Sequence, residues 1–386
     1  MPLRYLTAGE SHGPALTAIL EGMIAGLPIS EDLIAIDLAR RQSGAGAGGR
    51  MAIEQDRAQI LAGVMEGVTT GAPIALQIIN KDHGNWKGKD VPAYTTPRPG
   101  HADLAAVAKY GYTDIRPSLE RASARETAAR VAIGAVCRAF LKTFGITVDA
   151  YVSAIGGQVA KPDGIPLPER IANARASVVQ CPDPEAAAHM LRLIEDAQTA
   201  GETLGGVIDV IVQGVPVGLG SHVNWDRRLD ARLAQAALGV PAIKGVEIGD
   251  AFANAAKPGS QAHDAIGADL GRATNACGGI EGGITNGQPI WLRAAMKPIP
   301  TTRKGQQTVD LATGAPCLTR YERSDVCPVP RAVVVLEAVT AIVLADALIE
   351  KLGGDSINEM KPRFDALRRA TPDTLRMTGN ARVFWS

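Results

Sequence analysis

The chain has 386 residues, 40 basic against 40 acidic side chains and 46% hydrophobic residues, which is enough to build a large buried core. Balanced charge argues against a nucleic-acid or membrane-surface protein, since either needs a basic excess to neutralise phosphates. Any anion the chain binds must therefore meet a local basic cluster.

The N-terminus, Met1-Pro2-Leu3-Arg4-Tyr5, carries no apolar signal core, so the cytoplasm is the expected compartment. Apolar segments at Ala15 to Ile24, Val207 to Val212 and Pro289 to Ala295, bounded by glycine or proline, read as strands. Ser30 followed by Glu31 and Asp32 opens a helix ending near Arg41. The least patterned stretch, Lys81 to Pro99, contains Asp82, His83, Trp86 and three prolines and reads as a loop, either ordered over a ligand or a plain connection.

Ser123 and Glu126 have capping-box spacing and Gly145 stands at the expected stop, which predicts a helix from Ser123. Its two apolar stripes, one through Ala128, Val131 and Ala135 and one through Ile133, Val136 and Phe140, predict burial over most of its circumference. Pro330 and Gly353 bracket another apolar helix, whose charges Glu337 and Asp346 favour a buried helix over a membrane span. No linker composition interrupts the chain, so a single domain over 1–386 of mixed α and β structure is expected.

The cysteines at 137, 181, 277, 317 and 327 form no CxxC pair and read as reduced thiols. No HExxH, calcium-loop, P-loop or GxSxG pattern occurs. Gly44, Gly46 and Gly49 satisfy GxGxxG, but a polar helix precedes them where the dinucleotide fingerprint needs a strand. With Arg40, Arg41 and Arg50 at its edges, the segment is either an anion-closing loop or a solvated surface turn.

Arg116, Arg121, Arg125 and Arg130 surround the start of the central helix. Cations there oppose the helix dipole, and a bound phosphate or carboxylate resolves the conflict; the alternative is that Glu120 and Glu126 pair with these arginines. His12, in Gly9-Glu10-Ser11-His12-Gly13, and His101, in Arg98-Pro99-Gly100-His101-Ala102-Asp103, lie in glycine-containing turns. That suits either proton transfer beside a ligand or a structural loop hydrogen bond. His83, His189, His222 and His263 read as structural. Arg323-Ser324-Asp325-Val326-Cys327 gathers a base, a hydroxyl and a carboxylate before the last apolar helix.

Taken together, these segments resemble the chorismate synthase family. The resemblance runs in order through Gly9 to Gly13, Arg98 to Asp103, Glu120 to Ala128, Lys244 to Gly249, Gly278 to Gly283, Met296 to Pro298, and Arg323 through Glu337. It implies an α+β fold, a β-α-β sandwich of antiparallel sheets enclosing apolar helices, assembled as a homotetramer. It also implies anti-1,4-elimination of phosphate from 5-enolpyruvylshikimate 3-phosphate to give chorismate with reduced FMN. NADPH is the candidate indirect reductant, the alternative being flavin reduced elsewhere. His12 and His101 match the family's active-site histidines, expected to donate protons toward the reduced flavin and the departing phosphate. Asp325 matches the carboxylate that assists proton removal. Flavin contacts carry over to Arg121, Ala122, Ser123, Ala253, Asn254, Gly282, Lys297, Pro298, Ile299, Pro300, Thr301 and Arg323, and substrate contacts to Arg41, Arg50, Arg98 and Arg125.

Two positions depart from the family's usual pattern. Gly44-Ala45-Gly46-Ala47-Gly48 replaces an expected tyrosine and arginine with Ala45 and Ala47, and Pro300 stands where a small hydroxyl residue is common. The first departure predicts a loosely held glycine segment and weaker anion binding. A flavin- or nicotinamide-dependent oxidoreductase and a non-enzymatic anion-binding scaffold are the competing classes.

Overall fold

A computed structural model describes residues 2–46, 55–322 and 324–384. Two antiparallel sheets form its outer layers. The first has the strand order Arg4–Ala8, Ala15–Glu21, Ile74–Ile79, Ala58–Ala62; the second has Ile243–Ile248, Ile290–Met296, Gly206–Gln213, Thr147–Ile155, Gln158–Val159.

The alternation read in the sequence sets each sheet's inner face. In the first, Leu16, Ala18 and Leu20 stand opposite Ile78, Leu76 and Ile74, and all six are buried. In the second, Val210 sits between Ala150 and Leu292, and Ile208 between Val152 and Ala294.

The helices Glu31–Gln42, Thr127–Thr143 and Val329–Leu352 fill the space between the sheets. Thr127–Thr143 packs on the first sheet and on Val329–Leu352, which in turn packs on strands Thr147–Ile155 and Gly206–Gln213. The sandwich expected from the sequence is the observed one. The helix Leu167–Ala176 packs against Thr147–Ile155 and Pro184–Ala200 against the neighbouring edge; Ala174 joins Tyr151 and Ile211 in a small second cluster.

The Val329–Leu352 helix is apolar and long enough to cross a membrane, but 89% of its most apolar window is buried inside the protein. Glu337, fully buried in that helix, explains the choice. It accepts from Arg40 at 2.6 and 2.9 Å and from the Ala150 backbone N–H at 3.0 Å, and it lies 3.3 Å from Arg138. One carboxylate thus ties three helices to the second sheet, satisfying a charge that lipid could not.

Local signals explain the helix ends. The Ser30 hydroxyl accepts from the Leu33 N–H at 3.2 Å, and Gly145, at φ +74°, follows the Thr127–Thr143 helix in the left-handed region. The capping box at Ser123 does not form. Ser123 instead caps a 3-10 turn, Ala124–Glu126, by accepting from the Arg125 N–H at 3.3 Å, while the Glu126 carboxylate turns to Arg130. The α-helix proper starts at Thr127, because Glu126 finds a stronger, charged partner one turn on.

The two central helices cross at Gly134, where an added Cβ would lie 2.3 Å from the Ala338 Cβ and 2.5 Å from its Cα. No flexible side chain can give way there. Gly134→Val is expected to cost about 1–3 kcal/mol or more from overpacking, despite valine's better helix propensity. A urea midpoint unchanged from the parent would refute this account of the crossing.

Candidate active site

One cavity of about 850 Å³ opens at the end of the helical layer, lined by both histidine turns, the start of the central helix, the 297–301 stretch and the segment before Val329. The structure therefore brings together His12, His101, Asp325, Arg41, Arg98, Arg121, Ala122, Ser123, Arg125, Lys297, Ile299, Pro300 and Thr301.

His12 follows the first strand on a turn that closes onto the second. Gly9, at φ +114°, would place a Cβ 2.5 Å from the Ala15 carbonyl, so only glycine permits that return. The Glu120 carboxylate receives the His12 backbone N–H and contacts the ring Nδ1, both at 2.7 Å. Trp86 packs against the ring with centroids 4.2 Å apart, and its indole N–H donates to Asp82 at 3.2 Å. The irregular 81–99 stretch is thus ordered around the site by a buried aspartate and an aromatic contact, beginning with a 3-10 turn, Lys81–Asn85.

His101 is built on the same plan. Asp103, the fully buried first residue of the helix Asp103–Tyr110, lies 2.5 Å from His101 Nδ1 and accepts from Arg98 Nε at 2.8 Å, Arg98 Nη2 at 3.1 Å and the Arg98 backbone N–H at 3.0 Å. Burial alone would raise the Asp103 carboxyl, but the His101 and Arg98 hydrogen bonds and the Arg98 charge outweigh it and hold the group well below the usual carboxylate range. Glu120 shows the same contest: burial raises it, while hydrogen bonds and charge from His12 bring it below its ordinary value. A carboxylate on Nδ1 favours the tautomer protonated there and leaves Nε2 as the ring nitrogen able to exchange a proton.

Arg41 and Arg125 meet across Asp56, whose carboxylate lies 3.3 Å from the first and 2.6 Å from the second. Arg41 also donates from Nε to Thr127 Oγ1 at 3.1 Å, and Arg125 from Nε to Asn80 Oδ1 at 2.9 Å. Asn80 in turn donates to the Glu10 and Gly13 carbonyls, linking the arginine to the His12 turn. Burial lowers the Arg41 guanidinium to about 10; Asp56 opposes this, and Arg125 and Arg331 add to it.

Arg121 is the more exposed arginine and donates to Thr7 at 3.0 and 3.1 Å. Lys297 Nζ donates to the Gly100 carbonyl at 2.5 Å, and Arg98 Nη1 to Thr301 Oγ1 at 3.3 Å, so the 297–301 stretch is fastened to the His101 turn.

Of the alternatives for the acidic residues, Glu126 does pair with Arg130, at 3.0 Å, and stands 3.9 Å from Arg121. Glu120 pairs with His12 instead. The Gly44–Gly46 segment is not loosely held: Ala45 N–H donates to the Val178 carbonyl at 2.8 Å, the Val326 N–H donates to the Gly46 carbonyl at 3.0 Å, and a Cβ on Gly46 would lie 2.9 Å from the Cys327 carbonyl oxygen. Close packing against the 326–327 backbone replaces the stiffening expected of an aromatic. Ala47, Arg50 and Arg323 lie outside the described residues.

Pro298 belongs to the 297–301 stretch without lining the cavity. Ala253, Asn254 and Gly282 also lie outside it. The first two sit in the short helix Ala251–Ala255, where Asn254 donates to the Ala276 carbonyl at 3.2 Å; Gly282 turns a small hairpin at φ +58°. Sequence reasoning missed Glu120, Asp103 and Asp56 as partners, Trp86 as a site residue, Arg331, and the wall from Leu238 to Lys244. The two-residue spacing of His101 and Asp103 was the one local signal available.

The family model for chorismate synthase matches residues 3–349. A chorismate synthase of Geobacter metallireducens is 53% identical over 383 residues, covering 94% of this chain and 98% of the relative. One from Desulforamulus reducens is 54% identical over 377 residues, covering 94% and 97%. A solved structure, a crystal structure of chorismate synthase, superposes with a TM-score of 0.77 at 44% identity, over 95% of this chain and 97% of that one. With the fold, the length and the sequence all matched, the chain belongs to the chorismate synthase family.

Proposed function

We infer that this cavity converts 5-enolpyruvylshikimate 3-phosphate to chorismate by anti-1,4-elimination of phosphate, the last step of the shikimate pathway. The observation that carries the reading is the convergence in one cavity of two carboxylate-held imidazoles with the buried guanidiniums of Arg41, Arg98 and Arg125. A substrate with two carboxylates and a phosphate needs several fixed cations, and arginine forks suit both groups.

The elimination breaks one C–O bond and one C–H bond. Arg41, Arg50, Arg98 and Arg125 are assigned to the substrate's anionic groups, where preorganised donors stabilise the charge that grows on departing phosphate. His12 and His101 hold or deliver a proton at Nε2, each kept in orientation by its carboxylate. Asp325 assists proton removal from the substrate carbon.

The residues fit a flavin mononucleotide. Leu238, Val240, Ile243, Ile299 and Pro300 give the cavity an apolar wall suited to a flat ring, and Arg121 with the Ser123 turn offers donors for its phosphate. Reduced FMN, when bound, supplies electron density that eases loss of the allylic phosphate. Ala122, Ser123, Arg323 and the stretch Lys297 to Thr301 are assigned to holding it. Ala253, Asn254 and Gly282 lie outside the cavity of their own chain, and their flavin contacts are assigned to a neighbouring copy in a homotetramer. The expected setting is the cytoplasm, with 1–386 acting as one unit and NADPH as the candidate indirect reductant.

An anaerobic assay with the purified chain, substrate and chemically reduced FMN is expected to give chorismate and phosphate in equal amounts without net consumption of flavin. Sustained turnover with oxidised flavin alone, or one flavin oxidised per product, would instead identify an oxidoreductase.

A further inference from the structure

Arg331 stands in the first turn of the Val329–Leu352 helix, lines the cavity and is only 8% exposed. Its Nη2 forms an ion pair with Asp325 Oδ1 at 2.5 Å, and neither Nη2 nor the buried Nε has a well-aligned hydrogen-bond partner among the described residues. A buried guanidinium with an unmet donor is costly unless a ligand completes it. The same corner holds the Arg41 and Arg125 guanidiniums, so three buried cations face the two carboxylates Asp56 and Asp325.

We propose that Arg331 is a further anion-binding residue of this site, shared between Asp325 and an incoming phosphate or carboxylate group of the substrate. An arginine fork can hold two acceptors, and an anion that satisfies Nε also competes with Asp325 for Nη2. Anion entry thus loosens the Arg331–Asp325 pair when substrate is in place. The inference rests on the reading that this cavity takes a phosphate-bearing substrate.

Inorganic phosphate is the probe, titrated calorimetrically into the flavin-free protein at fixed pH. Arg331→Gln is expected to weaken phosphate binding about tenfold or more, the effect of one charge-assisted contact, and Arg331→Lys to recover part of it. Asp325→Asn is expected to tighten phosphate binding, because it removes the competing carboxylate. Opposite signs from two neighbouring substitutions distinguish sharing from a structural role, which would weaken both. An Arg331→Gln or, if that variant does not fold, an Arg331→Lys protein with the parent's phosphate affinity overturns the proposal. So does an Asp325→Asn protein that binds phosphate no better than the parent. Either result leaves the reaction assignment standing, because that is decided separately by chorismate formation in the parent enzyme.

Discussion

Replacing His12 or His101 with alanine is expected to lower kcat by about 10²- to 10⁴-fold, the range of one positioned acid or base, with little change in fold. Both rings are mostly shielded yet open to the cavity, with side-chain exposures of 19% and 17%. Neither is part of the hydrophobic core, so truncation costs little packing beyond the His12–Trp86 contact. Asp103→Asn and Glu120→Gln should fall between parent and alanine variants: each keeps size and a hydrogen bond but loses the charge that stabilises an imidazolium. Near-normal kcat in both histidine variants, measured with saturating reduced FMN and substrate, would remove them from the mechanism.

The histidines were legible because turn glycines beside a titratable ring are a local pattern. Their carboxylates were legible only in part. Asp103 is two residues from His101, but Glu120 reaches His12 across 108 residues of chain, and nothing in either segment announces that contact. The same limit applies to Asp56, which lies 15 residues from Arg41 and 69 from Arg125. Long-range pairing of charges depends on how the sheets bring loops together, and period and capping rules do not carry that information.

The fold was read more fully than the site. Alternating strands and doubly apolar helices express the sandwich directly, because every layer must bury a face. The capping box failed for a specific reason: Glu126 satisfies Arg130 instead of the Ser123 backbone, so spacing alone overstated the helix by one turn. The glycine segment misled in the opposite direction. Its composition suggests freedom, but packing of Gly46 on Cys327 and the Ala45 and Gly46 backbone hydrogen bonds constrain residues 44–46. Glycine there serves close approach of two backbones.

Asp56→Asn is expected to destabilise the protein by about 3–5 kcal/mol, the usual cost of stripping one partner from a buried charge pair. The Asp56 side chain is fully buried between Arg41 and Arg125, whose own side chains are 8% and 5% exposed. Asparagine preserves the volume and can still accept one guanidinium hydrogen bond, so the loss isolates charge from packing. Both cations line the cavity, and among the described residues Asp325 also acts electrostatically on Arg41. An added anion should substitute for the missing charge: sulfate or phosphate is expected to raise the variant's urea midpoint by more than it raises the parent's, through preferential binding to the folded state. A variant midpoint equal to the parent's in the absence of anion would show that water in the cavity, rather than Asp56, balances the two arginines.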